Sequence, residues 1–160
     1  GSMGGEPLAT SAVTAASVAW RSPDDYSVLS FGKEVVAAKS QDAHKSSESV
    51  VDAVLALRGF GTTDVAGALA AARDQLGRSS ASRKITILLS DCRATAHGSG
   101  DAESAIGVAI AARQVEELLI IAPADDDVTA RELASATGSR ITTVTGPSDA
   151  AAALARVLDT

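Results

Sequence analysis

Two hydrophobic periods alternate along this chain. Leu8, Ala12, Ala15, Ala16 and Ala19 fall on one face of a helix over 8–20, and Pro7 suits its first turn. Arg21-Ser22-Pro23-Asp24-Asp25 is a polar break. Tyr26–Phe31 and Glu34–Lys39 then read as strands, and the tight Gly32-Lys33 link predicts an antiparallel hairpin. A helix over 46–57 turns Val50, Val51, Val54, Leu55 and Leu57 inward, and Gly59-Phe60-Gly61 ends it. The clearest helical period lies over 64–76, where Val65, Leu69, Ala72 and Leu76 share a face. Lys84–Ser90 is an apolar run with no alternation, the mark of a strand buried on both sides. Helices over 102–112, 126–137 and 148–158 then alternate with strands over 117–122 and 140–145. The Asp125–Asp127 run and Ser148 are the expected caps, Pro147 precedes the last helix, and Gly138 closes the helix before it.

After the hairpin, helices and strands take turns. That order predicts an α/β fold: a doubly wound, mostly parallel sheet with one antiparallel edge strand and helices on both faces. A length of 160 residues suits one domain over 1–160, with Gly1-Ser2-Met3 reading as an expression scar. The chain opens directly on a helix, whereas most doubly wound domains open on a strand.

Composition narrows the function. The chain is 46% hydrophobic but only 2% aromatic, so its core is built from Ala, Val, Leu and Ile. The net charge of −6 argues against nucleic acid, which needs a basic footprint. No apolar run reaches the ~18 residues of a membrane span. The single cysteine, Cys92, excludes an intramolecular disulfide and fits a reducing, cytoplasmic setting. It reads as a small buried hydrophobe rather than a nucleophile.

Candidate chemistry centres on Asp91, where the run Ile85-Thr86-Ile87-Leu88-Leu89-Ser90 stops at a carboxylate. Upstream, Gly61-Thr62-Thr63-Asp64 is an oxygen-rich corner opening a helix. Ligands of open α/β sheets sit beyond the carboxyl ends of the strands, and hard cations take oxygen ligands. Turn formation at Asp91 and capping by Thr62, Thr63 and Asp64 are the structural readings of the same residues. Other signals are weaker. Gly59-x-Gly61 lacks the strand and third glycine of a dinucleotide loop. Ser90, His97 and Asp101 lack the spacing of a hydrolase elbow. His44 and His97 lie in polar loops, and Trp20 reads as the edge of a core.

The order of these pieces resembles a von Willebrand factor type A domain of the intracellular bacterial kind, over essentially the whole chain. Gly1-Ser2-Met3-Gly4-Gly5-Glu6-Pro7-Leu8 resembles the tail of its Asp-x-Ser-x-Ser motif. Gly61-Thr62-Thr63-Asp64 resembles its Gly-Gly-Thr-Asp loop, and Ile87-Leu88-Leu89-Ser90-Asp91 its strand end before Asp-Gly. The resemblance implies a metal-ion-dependent adhesion site for Mg²⁺ or Mn²⁺, with Ser2, Thr63 and Asp91 at ligand positions. It also implies a non-enzymatic interaction module that engages an acidic side chain of a partner, such as an ATPase of the MoxR or magnesium-chelatase type.

Two departures shape the expectation. Cys92 stands where the family has glycine. The first Asp and Ser of the motif, and the strand that carries them, have no counterpart here, through a gene start placed at an internal methionine or through a native lack of the strand. Losing that central strand would leave two strand edges facing each other, with sheet rearrangement, strand exchange or dimerisation as remedies. The rival readings are a scaffold that has lost its metal and, further off, a Mg²⁺-dependent phosphoryl-transfer enzyme.

Overall fold

The computed structural model describes residues 6–22, 25–31, 35–55, 65–90, 92 and 101–158. Among them, six helices and five strands follow the predicted order: α1 Glu6–Arg21, β1 Val28–Phe31, β2 Val35–Lys39, α2 Ser47–Leu55, α3 Val65–Leu76, β3 Ile85–Leu89, α4 Asp101–Arg113, β4 Glu117–Pro123, α5 Val128–Thr137, β5 Arg140–Val144 and α6 Pro147–Leu158. β1 and β2 pair antiparallel, with Phe31 opposite Val35 and Val28 opposite Lys39. β3, β4 and β5 pair parallel in that spatial order.

Among the described residues these strands form two sheets, β1–β2 and β3–β4–β5, with no ladder between them. Helices clamp the two from both faces. α1 packs on α2 and on α6, while α4 packs between α3 and α5. α3 lies against β1 and β2, yet its Val65 and Leu69 share a core cluster with Leu88 of β3. Among the described residues β3 pairs with β4 alone, and α3 is the element that reaches both sheets.

The apolar interior divides accordingly. α3, α4 and α5 cover one face of the parallel sheet, with Val108, Ala112, Ile120, Ala130 and Leu133 at the centre. α6 covers the other face, with Ala150, Ala153 and Leu154 against Leu119, Ile121 and Val144. Ala12, Ala15 and Ala19 of α1 meet Val50 and Val54 of α2 around Tyr26. Alanines on α1 let that helix approach its neighbours closely. No helix among the described residues is long and apolar enough to cross a membrane.

Several local expectations need correction. Trp20 is 83% exposed rather than at a core edge, and Leu55 is also exposed. Asp127 occupies the N-cap of α5 without a side-chain cap bond, and its carboxylate accepts instead from Arg131 Nε at 2.7 Å. Ser148 lies inside α6, which starts at Pro147. Asp149 in the first turn reaches back to the residue before the helix, its carboxylate accepting from the Thr145 amide at 3.0 Å and from its hydroxyl at 2.5 Å. Gly138 does close α5, in the left-handed conformation at φ 71°.

Candidate functional site at the carboxyl end of strand β3

The predicted ligands Ser2, Thr63 and Asp91 lie outside the described residues, as do Thr62, Asp64 and His97. Their immediate flanks are described. Val65 opens α3 one residue beyond Asp64, and Cys92 follows Asp91. Both side chains are buried in the same core cluster, together with Leu88 of β3. Burying these apolar neighbours brings the amino end of α3 and the carboxyl end of β3 to one patch of core.

The residues on either side of Asp91 are described. The Ser90 amide continues the ladder by donating to the Ile121 carbonyl at 3.1 Å. The Cys92 amide donates to Ser90 Oγ at 2.9 Å. Cys92 has φ 64°, the left-handed region that glycine occupies without cost. Its side chain is 3% exposed, as expected of a small hydrophobe, and its thiol, which is in no disulfide, donates to the Ser90 carbonyl at 3.8 Å. Cysteine thus stands in a glycine-type conformation and turns its side chain into the core.

The loop after β4 lies at the same end of the sheet and carries Asp125, Asp126 and Asp127. Among the described residues, no group of three or more His, Cys, Asp or Glu side chains is arranged to hold a metal ion. A cleft of about 500 Å³ lies at the opposite end, at the amino ends of β3, β4 and β5. Its lining is largely committed. Arg83 holds Glu117 through two bonds of 2.9 and 3.1 Å, and Arg113 Nη2 donates to the Ala136 carbonyl at 2.8 Å.

Sequence reasoning missed one polar network. Lys39 ends an apolar strand and is 1% exposed. Its Nζ donates to the carbonyls of Tyr26 at 2.6 Å and Ser40 at 2.9 Å. Nearby, Asp25 accepts from Gln41 Nε2 at 2.7 Å and Ser79 Oγ at 2.5 Å, and Gln75 Oε1 accepts from the Gln41 amide at 2.7 Å. The network ties the hairpin to α3 and to the linker before β3. A lysine closing an otherwise apolar strand was the signal.

A comparison with solved structures bears on the fold. Among solved structures, the chain is similar to one described as von Willebrand factor type A from Catenulispora acidiphila, with a TM-score of 0.68 and 15% identity. The match covers 94% of this chain and 37% of that one. The fold is von Willebrand factor type A-like. No family model matches the sequence, and no curated protein matches it.

Proposed function

We propose that this chain is a non-enzymatic protein-interaction module whose metal-ion-dependent adhesion site is built on Thr63 and Asp91, with Ser2 as the third position. The observation that carries the reading is the conformation of Cys92. Its glycine-type backbone directly after Asp91, on a von Willebrand factor type A-like fold, supports a strand end shaped as the family's Asp-Gly motif requires. Bound Mg²⁺ or Mn²⁺ would supply residual positive charge and an open position for an acidic side chain. Thr63 would offer a neutral hydroxyl and Asp91 a carboxylate, a weakly charged set that leaves attraction for a partner's acid. An ATPase of the MoxR or chelatase type is the partner class in view.

Titration calorimetry with Mg²⁺ and Mn²⁺ tests the reading, with Asp91→Ala as the control. The expected result is saturable binding to the wild type that the variant loses. If neither ion binds, and the thermal midpoint ignores millimolar Mg²⁺, the chain is a scaffold without a metal site.

A further inference from the structure

We propose that the outer face of α4 is the contact of a two-fold dimer, in which this helix packs antiparallel against the same helix of a second copy. Residues 105–112 of α4, Ala-Ile-Gly-Val-Ala-Ile-Ala-Ala, carry no polar side chain. A helix that is apolar on every side is coded for burial on every side. The chain itself buries only one. Val108 and Ala112 are 3% exposed and lie in the core with Ile120 of β4. Ile106 and Ile110, one helical turn apart, are 62% and 52% exposed and form an outward ridge. Gly107 lies beside them. Glycine inside a helix is destabilising, and a Cβ at this position would meet nothing within 4 Å. Packing within the chain therefore gives no reason for the glycine, whereas close approach by another helix does.

The stripe reads the same from either end, and that identifies the occupant as a second copy. Helical spacing extends it from Ile106 back to position 103 and from Ile110 on to position 113. The sequence has Glu103 and Arg113 at those positions. Glu103, Ile106, Ile110 and Arg113 are therefore placed symmetrically about position 108. Turned end for end there, Ile106 falls beside Ile110 of the partner subunit, and Glu103 beside Arg113 of the partner subunit. Apolar meets apolar and acid meets base, the self-complementarity that a two-fold contact requires. A different segment of this chain, or another protein, gains nothing from such symmetry. Arg113 is exposed, and its Nη2 donates to the Ala136 carbonyl at 2.8 Å, which anchors a guanidinium with further donors at the end of the stripe. α4 has 13 residues and is about 20 Å long. A contact centred on it lies at the small end of specific interfaces and gives a micromolar dimer. Antiparallel α4 helices turn the two parallel sheets opposite ways, so the carboxyl ends of β3 point apart. The inference does not depend on a metal there.

The test is sedimentation velocity of the full chain from micromolar to near-millimolar concentration. The expected result is a shift from a 16.0 kDa monomer to a dimer. Ile110→Glu, at an exposed position, keeps the circular dichroism spectrum of the wild type and abolishes the dimer. Glu103→Arg and Arg113→Glu each set like charges opposite one another and weaken association about tenfold. The double variant restores it, a rescue that non-specific association does not give. Three results overturn the proposal: a monomer throughout the range, a dimer that survives Ile110→Glu, or single reversals that the double variant fails to rescue.

Discussion

The Lys39 ammonium lies 4.3 Å from the centroid of the Tyr26 ring and donates to the Tyr26 carbonyl at 2.6 Å. A cation is thus held inside the hairpin by carbonyl oxygens and a ring face, opposite Val28 in the β1–β2 register. Lys39→Met keeps the stem and removes the charge. One buried and one part-buried carbonyl lose their donor and the ring loses its cation. The expected cost is about 2–4 kcal/mol, read from urea denaturation. Lys39→Arg does not rescue it, since a planar fork cannot replace a compact ammonium in a filled site.

Acid should destabilise the fold through a small set of carboxylates. The Ser79 hydroxyl, then the Gln41 amide, hold Asp25 below the usual carboxylate range against the opposing effect of burial. The hydrogen bond from Arg83 does the same for Glu117, and Thr145 does so for Asp149. Each folded value lies below the unfolded one. Their contribution is therefore fully present above the unfolded pKa of about 4 and is lost as pH falls through the lower folded values. Asp25→Asn is expected to lower stability at neutral pH and, by removing a contribution that acid would otherwise take away, to flatten the acid limb of the stability–pH profile. Urea midpoints measured from neutral to acid pH check this. An unchanged acid limb would remove Asp25 from the account.

Cys92 should tolerate glycine and reject valine. Its left-handed backbone costs a side-chain-bearing residue about 1–2 kcal/mol, while its buried thiol returns packing energy of similar size. Cys92→Gly is expected to fall within about 1 kcal/mol of wild type. Cys92→Val, branched at the β-carbon, is expected to lose more than about 2 kcal/mol. Denaturant midpoints decide between them. The native thiol should also resist an aromatic disulfide reagent until the chain unfolds.

Trp20 is the only tryptophan and stands 83% exposed on α1. Its fluorescence should match free indole in water and be fully quenched by iodide. Trp20→Ala should change stability by no more than about 0.5 kcal/mol. A blue-shifted, protected emission would show that something covers this face of the helix.

Much of the fold was legible because it depends on local periodicity. Val65 and Leu69 marked the buried stripe of α3, Gly138 marked a helix end, and the short link after Phe31 marked the hairpin. What failed depends on neighbours. Trp20 reads as apolar in one dimension but turns to water once Ala12, Ala15 and Ala19 occupy the packed face. Lys39 reads as the last residue of a strand, and its burial is met by the carbonyls of Tyr26 and Ser40. Of the candidate site, the sequence marked Thr63 and Asp91, and the structure joins their flanks through Val65 and Cys92. Ligand geometry depends on three-dimensional approach, which spacing along a chain does not encode.

The interrupted sheet bears on how this molecule melts. Across the described residues, no backbone ladder links the hairpin to the parallel strands, so the halves are coupled through side chains: α1 against α6, and α3 across both. The hairpin half has its own nucleus around Tyr26, Val50 and Val54, sharing no residue with the two clusters of the other half. Two cooperative units rather than one are the expected result, with probes in the hairpin half changing at lower urea than probes in the three-stranded half.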